Sequence, residues 1–338
     1  MRGAVQELER PNEGGAVSER LAAFRQLVNT VGVAMALIVL VIGVAPPATA
    51  TFPGRNGRIA FSSDRGGGGD AEIYTMRPQG GGVIQVTDAP GNSIFSDWTP
   101  DGRKIVFDSD RVTGGCSEQR CNVEIFITNV NGSDVRRLTR SPAFEGSPAV
   151  SPDGRRVAFE SDRDGDPEIY TMWLDGTHVK QVTHNDWLDF NPSWSPSGRR
   201  LAYQSNSGRG FDQSAIFTIG VAGSHRRRVT PWRLKAGAVD WAPGGVRLTF
   251  NSNDVVDAAS AIYTIRKDGS ELRRLTSPAP GDSSFLPTWS PDGRNIAFAR
   301  AANRVPDIYV IGRGGRNLRR LTRAPSDDFA PDWGPRSR

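Results

Sequence analysis

The 338-residue sequence has few of the residues from which metal centres and nucleophilic active sites are usually built. It contains 3 His and 2 Cys. The histidines, His178, His184 and His225, do not have the spacing of metal ligands, and no further Cys or His accompanies Cys116 and Cys121. The G-x-S-x-G nucleophile motif is also absent. We therefore expect no metal centre, no cofactor and no hydrolase domain of that type.

Long apolar runs are equally scarce, and the strongest one extends from Val31 to Ala45. Basic residues precede it, and the small residues Ala48 and Ala50 follow it as in a signal-peptide cleavage site. We interpret residues 1–26 as a cytoplasmic or disordered n-region and residues 27–50 as a signal peptide. An uncleaved membrane anchor is the alternative, because the apolar segment that begins at Leu27 reaches the minimum length of a span. Either interpretation predicts that residues 51–338 are exported, in a periplasmic, extracellular or membrane-anchored location.

The C-x4-C pair depends on the same interpretation. In an oxidising compartment, Cys116 and Cys121 predict a disulfide within one loop. If the protein stays in a reducing compartment, the two residues are free thiols.

The rest of the chain is rich in turn-forming residues, with 38 Gly and 23 Pro, and a unit repeats along it. Clear copies are SPAVSPDGRRVAFES, NPSWSPSGRRLAYQS and LPTWSPDGRNIAFAR. Each copy continues through a strand such as EIYTM to a Leu-Thr or Val-Thr pair. The six threonines of these pairs are Thr87, Thr139, Thr183, Thr230, Thr276 and Thr322. Six units of four short extended runs predict an all-β fold.

Turn residues set the connections within each unit. Pro152, Asp153 and Gly154 typify the turn between the first and second runs, and Asp175-Gly176 is a hairpin signal between the third and fourth. The chain ends on a first run with Trp333, whereas the run at Arg58 to Ser63 is a second run without a first. We therefore predict a six-bladed β-propeller of four-stranded antiparallel blades, in which the C-terminal strand pairs with the N-terminal blade.

The W-S-P-D-G-x-x-I-A-F core of these units resembles the TolB-like propeller repeat, a WD-type variant, over about residues 53 to 335. The resemblance implies the propeller fold alone. It does not extend to the N-terminal α/β domain of TolB or to the hydrolase domain of prolyl-oligopeptidase-like peptidases, which use the same repeat.

Net charge and loop composition suggest where ligands would bind. The net charge of +5 could attract anionic polymers or lipid headgroups. Repeated pairs such as Arg136-Arg137 and Arg273-Arg274 are explained by the protection of outer strand edges. The Asp162–Glu168 segment resembles part of a calcium loop, but it lacks the distal Glu and aligns with ordinary loops in other units.

Residues just before the first runs are expected to meet at one mouth of the channel. The predicted binding residues there are Glu145, Asp189, Asp328, Phe190, Phe285, Phe329, Trp187 and Trp232. Such a mouth could receive a basic peptide, a sugar or a cation. The structural alternative is that the carboxylates cap backbone groups and the Phe side chains pack between blades.

The sequence therefore favours a non-catalytic, monomeric binding scaffold that engages a protein or cell-envelope component, with no nucleic-acid partner and membrane contact only through an uncleaved N-terminal segment. The alternative is a carbohydrate-active or other hydrolase or lyase with its active site at the channel mouth.

Overall fold

The computed structural model describes residues 52–113, 122–206, 208, 213–253, 259–279, 281–302 and 305–337. This part of the chain consists of β-strands joined by turns, with one short 3₁₀ helix at Trp232–Leu234. None of its helices has the length and apolarity needed to cross a membrane. The predicted segments 1–26 and 27–50 and the predicted Cys116–Cys121 disulfide lie outside the described residues.

The strands form six four-stranded sheets, each of which is one blade. Blade 1 contains β1 (Asn56–Ser63), β2 (Glu72–Met76), β3 (Ile84–Gln85) and β24 (Asp328–Pro335). Blade 2 contains β4 (Ser93–Trp98), β5 (Lys104–Ser109), β6 (Glu124–Asn129) and β7 (Arg136–Arg137). Blade 3 contains β8 (Glu145–Val150), β9 (Arg156–Ser161), β10 (Glu168–Trp173) and β11 (Lys180–Gln181).

The remaining blades repeat this order. Blade 4 contains β12 (Asp189–Trp194), β13 (Arg200–Ser205), β14 (Ala215–Gly220) and β15 (Arg227–Arg228). Blade 5 contains β16 (Ala236–Trp241), β17 (Arg247–Asn253), β18 (Ser260–Arg266) and β19 (Arg273–Arg274). Blade 6 contains β20 (Ser283–Trp289), β21 (Asn295–Ala302), β22 (Val305–Gly312) and β23 (Arg319–Arg320).

Blade 1 is assembled from both ends of the propeller. Its strand order is β24-β1-β2-β3, and β24 pairs antiparallel with β1 so that Trp333 lies opposite Ile59. The inner strands contact one another in the cyclic order β24, β4, β8, β12, β16, β20 and back to β24. The predicted six-bladed ring and its closure by the C-terminal strand are therefore confirmed.

The core lies between neighbouring blades, where the apolar face of one sheet packs on the next. Trp194 of blade 4 has no exposed surface and packs in a cluster with Ala158 and Ile169 of blade 3. A Trp occupies the equivalent position of the other inner strands, as Trp333 does in β24, except that Val150 takes this place in blade 3. Burial of such large aromatic surfaces is the main source of inter-blade stability.

The repeated Thr residues extend the short outer strands. In every blade the Thr Oγ1 accepts a hydrogen bond from a backbone N–H of the third strand, at 2.8 or 2.9 Å. The six donors are Ile73, Ile125, Ile169, Ile216, Ile262 and Ile308. A side chain thereby continues the pairing where the two-residue outer strand ends.

The paired arginines do more than protect edges. Arg273 Nη2 donates to the Gly314 carbonyl of the next blade at 2.7 Å, and Arg227 Nη2 donates to the Asp268 carbonyl at 2.9 Å. The second arginine of a pair bonds within its own blade, as Arg274 Nε does to the Thr276 carbonyl at 2.9 Å. The first arginine of these pairs therefore ties adjacent blades together at their outer edges.

Strand direction divides the propeller into two faces. Within a blade we number the strands 1 to 4 from the innermost to the outermost. Strands 1 and 3 run in the same direction, so the turns that join strands 1 and 2 (1–2 turns) and strands 3 and 4 (3–4 turns) lie on one face, named here the turn face. The 2–3 loops and the connections between blades lie on the opposite face, named the loop face. Gly154, with φ 68°, shows why the 1–2 turns favour glycine, since this backbone conformation strains residues with a Cβ.

Deletion of residues 329–338 is expected to prevent cooperative folding, because it removes most of β24 and leaves β1 and the inner faces of blades 2 and 6 without their neighbour. Removal of residues 1–50 should leave the melting temperature of the propeller nearly unchanged. Thermal unfolding followed by circular dichroism distinguishes the two truncations.

A pair of tryptophan variants provides the matched control. Trp333→Ala should cost about 3–5 kcal/mol, because this side chain is 3% exposed in the closing strand. Trp173→Ala should cost little, because that side chain is 45% exposed. Equal melting temperatures for the truncations, or for the two variants, would contradict closure through β24.

Candidate functional site

The three predicted carboxylates begin inner strands at the loop face. Glu145 is the first residue of β8, Asp189 of β12 and Asp328 of β24, and all three side chains are fully buried. The structure thus places them at equivalent positions of blades 3, 4 and 1. A binding role for them remains a prediction.

Each of these carboxylates faces an arginine of its own blade. Arg163 Nη2 donates to Glu145 Oε2 at 2.6 Å, and Arg65 Nη2 reaches both oxygens of Asp328 at 2.6 and 2.7 Å. Arg226 Nη2 lies 3.9 Å from Asp189 Oδ1. The arginine offsets part of the cost of transferring each carboxylate from water to the protein interior.

The same arginines cover pairs of aromatic rings. The Arg163 guanidinium lies 4.8 Å from the Tyr170 ring centroid, and Arg65 lies 5.2 Å from that of Tyr74. In blade 4 the sequence has Ser207 where blade 3 has Arg163, and Arg226, the residue before the outer strand, lies over the Phe217 ring instead. Acid, arginine and aromatic pair therefore form a repeated structural unit.

Burial controls the ionisation of these acids. Desolvation raises the pKa of Glu145 to about 7, although the charge and hydrogen bond of Arg163 act in the opposite direction. Desolvation also raises the pKa of Asp189, against hydrogen bonds from Ser205 and Asn185.

The predicted phenylalanine residues follow the carboxylates and are also buried. Phe285 and Phe329 pack with Phe95 in one apolar cluster at the inner strands, and Phe190 is buried at the equivalent position of blade 4. These rings stabilise contacts between blades, which leaves little of their surface for a ligand at the mouth.

A bulge that the sequence did not predict follows these residues in all six blades. The residue three positions before the inner-strand Trp, or before Val150 in blade 3, has positive φ, and the register with the second strand shifts there. The six residues are Phe95, Ser147, Asn191, Ala238, Leu286 and Ala330. The bulge turns the backbone N–H outward, so that Ser147 donates to Asp108 Oδ2 at 2.8 Å and Asn191 donates to Glu160 Oε2 at 3.0 Å in the preceding blade.

Three further carboxylates, Asp97, Asp240 and Asp332, were missed at the sequence level. They lie deeper along the inner strands and are almost wholly buried. Asp332 Oδ2 accepts from the Trp98 backbone N–H at 3.1 Å, and Asp240 Oδ2 accepts from that of Trp289 at 2.8 Å. Each therefore caps the inner strand of the next blade.

Burial, followed by the neighbouring carboxyl of Asp332, holds the pKa of Asp97 well above its ordinary value. The signal for these residues is the Asp-Trp dipeptide that recurs in three copies of the repeat. Within the described ranges, no group of three or more His, Cys, Asp or Glu side chains is arranged to hold a metal ion.

The two predicted tryptophans lie half-buried beside cations. Arg226 is 4.4 Å from the Trp187 ring centroid, and Arg228 is 5.2 Å from that of Trp232. Trp232 also packs on Phe217. Trp187 is therefore a partly accessible aromatic surface on the loop face, in the connection between blades 3 and 4.

Acidic side chains surround that connection. Asp164 and Asp186 are exposed, and Asp166 is partly buried near them. Desolvation, then the charges of Asp164 and Asp186, raises the pKa of Asp166 to about 7. Asp164, Asp166 and Asp186 are named here the loop-face acidic patch. Their charge can attract a cationic partner.

A groove of about 920 Å³ lies on the opposite, turn face between blades 5 and 6. Its walls include Pro243, Pro291, Trp289, Arg273 and Arg313. None of the predicted binding residues contributes to it.

The chain matches the family model of the tricorn protease N-terminal β-propeller domain over residues 120–253. It is 36% identical over 90 residues to the uncharacterized protein Atu1656 of Agrobacterium fabrum, covering 27% of this chain and 28% of that protein. It is 46% identical over 46 residues to the Tol-Pal system protein TolB of Bordetella pertussis, covering 13% of this chain and 10% of TolB. The chain thus matches only a small part of these relatives.

Solved structures agree over a longer stretch. TolB from Acinetobacter baumannii superimposes with a TM-score of 0.72 at 20% identity, covering 83% of this chain and 67% of that one. The tricorn protease gives a TM-score of 0.60 at 19% identity, covering 82% of this chain and 27% of that one. At these identities the likeness establishes the fold.

Arg163→Met is expected to destabilise the propeller by about 3 kcal/mol at pH 8, because it leaves the buried Glu145 carboxylate without its partner. In the folded state the pKa of Glu145 is raised to about 7, so its proton is bound below that pH and lost above it. The penalty should therefore shrink towards pH 5, where Glu145 is neutral. Urea unfolding at both pH values measures it.

Arg163→Met combined with Glu145→Gln should recover most of the loss at pH 8. Arg155→Met, at an exposed arginine of the turn face, is the matched control and should change stability little. A loss of equal size at both pH values would refute the role of the ion pair.

Proposed function

Because the chain is a six-bladed β-propeller of the TolB-like type, we propose that it is an exported, non-catalytic binding scaffold. Its loop face engages a protein or a cell-envelope component beside the channel mouth. The name of the Bordetella relative, a Tol-Pal system protein, supports a partner in the cell envelope.

The loop-face acidic patch beside Trp187 is the observation that carries this proposal. Asp164 and Asp186 are exposed carboxylates at the junction of blades 3 and 4, and Trp187 offers a partly accessible ring next to them. A flexible segment with Lys or Arg side chains matches this charge, and an aromatic or aliphatic side chain of the same segment can pack on Trp187. The partner class is therefore a protein with a basic segment.

A hydrolase or lyase at the mouth has less support. Its acid and base would have to come from the mouth carboxylates, but Glu145, Asp189 and Asp328 are buried and face arginines of their own blades. The histidines do not converge either, since His178 and His225 belong to 3–4 turns on the turn face and His184 lies on the loop face.

Cross-linking in cells with the full tagged chain should capture a defined partner. Asp164→Lys together with Asp186→Lys should weaken binding of that partner by at least tenfold, because two attractive charges become repulsive at the contact. The affinity of the purified partner, measured at two salt concentrations, shows how much of the binding free energy is electrostatic.

Asp153→Lys together with Asp175→Lys makes the same charge change on the turn face and should leave capture intact. Capture that survives the loop-face change but not the turn-face change would overturn the proposed binding face. Recovery of no defined partner would argue for a purely structural envelope protein.

A further inference from the structure

We infer that the turn face of the propeller docks on a membrane surface that contains anionic phospholipids. This interaction is separate from the loop-face binding proposed above. Three independent features of the turn face support it: its charge, its exposed apolar side chains and the place where the chain enters the ring.

Basic side chains dominate the turn face. In the turns and the strand ends next to them, Arg and Lys outnumber Asp and Glu by more than two to one. Part of the negative charge is already paired, as between Lys104 and Asp134 at 3.0 Å and between Arg247 and Glu271. Exposed basic residues occur in every blade: Arg77, Arg103, Arg155, Arg199, Lys267 and Arg313. The loop face differs in charge, because the exposed Asp164 and Asp186 of the loop-face acidic patch lie there.

Apolar side chains are exposed between these charges. The residue just before the outer strand is apolar and exposed in five blades, namely Val83, Val135, Val179, Leu272 and Leu318, with exposures of 38 to 44%. Of the ten large apolar side chains exposed in the described residues, seven belong to the turn face, including Trp173 and Val246. Basic residues interspersed with exposed Val, Leu and Trp match the headgroup region of an anionic bilayer.

Trp173 is the most suitable interfacial anchor. It ends β10, its side chain is 45% exposed, and its ring makes an edge contact with His178 at 5.8 Å between centroids. An indole that is already nearly half exposed can enter the headgroup layer without a change in the fold.

The chain also enters the ring at this face. Phe52 is buried, and the Gly54 N–H donates to the carbonyl of Pro291, in a 1–2 turn of blade 6, at 3.0 Å. In the alternative in which residues 27–50 are an uncleaved membrane anchor, the apolar stretch ends at Ala45, only seven residues before Phe52. Seven residues reach about 25 Å at most. Of the two faces, the turn face is therefore the one that lies nearest to the bilayer when the N-terminal stretch is inserted.

Hydrogen exchange of the full chain in liposomes tests the docking. Liposomes of phosphatidylcholine alone are compared with liposomes in which about one third of the lipid is phosphatidylglycerol. Amides of the 1–2 and 3–4 turns should exchange several-fold more slowly in the anionic liposomes, and the loop face should not change. High salt should abolish the difference, because it screens the charges.

A triple variant supplies the charge test. Arg103→Gln, Arg155→Gln and Arg199→Gln together should lower the ratio of docked to undocked protein by about a hundredfold, or about fivefold for each basic residue near the surface. The matched control, Arg140→Gln, Arg233→Gln and Arg323→Gln, removes three exposed charges from the loop face and should have no effect. Thermal unfolding of both variants establishes that they are folded.

Equal exchange in the two kinds of liposome would overturn the inference, as would protection of the loop face. Stronger protection of the turn face by soluble polyphosphate than by anionic liposomes would overturn it in favour of an anionic polymer. None of these outcomes bears on capture of a protein partner at the loop face, so the two proposals fail separately.

Discussion

Hydrogen bonds between β1 and β24 join the two ends of the propeller, and every other blade depends on that pairing. Without β24, blade 1 has no inner strand, and the inner strands of blades 2 and 6 lose a packed neighbour. The contact is also polar, because Asp332 of β24 caps the Trp98 backbone N–H of the next blade. A ring in which each blade is stabilised by two neighbours has no exposed sheet face, provided that this one junction holds.

The repeated letters of the sequence are explained by contacts that one isolated blade could not make. Trp194 is buried only because blade 3 covers it, and Arg273 bonds to a carbonyl of the following blade. The Thr side chains complete the outer strands within each blade. The repeated residues therefore serve two kinds of contact, one inside each sheet and one between neighbouring sheets. Both recur because the same interface occurs six times around the ring.

Period, turn residues and the unmatched end strands were enough to predict the fold from the sequence, but the chemistry of the mouth was not predictable. Whether Glu145 is available to a ligand depends on Arg163 of the 2–3 loop, and the equivalent partner of Asp189 is Arg226, just before the outer strand. The bulge positions share no residue type, since residues as different as Phe95 and Ala330 adopt positive φ there, although Pro follows them in four of the six copies. Side-chain pairing across a loop and strain imposed by neighbouring strands are properties of the assembled blade.

The different connections on the two faces follow from strand direction. An even number of strands in each blade returns the chain to the loop face, so all irregular 2–3 loops and inter-blade connections collect there, whereas the turn face is built from short turns with restricted conformations. Changes in loop length and charge can alter the loop face without disturbing the turns. A propeller of this kind can therefore keep a basic face for a constant surface and vary the opposite face for a specific partner.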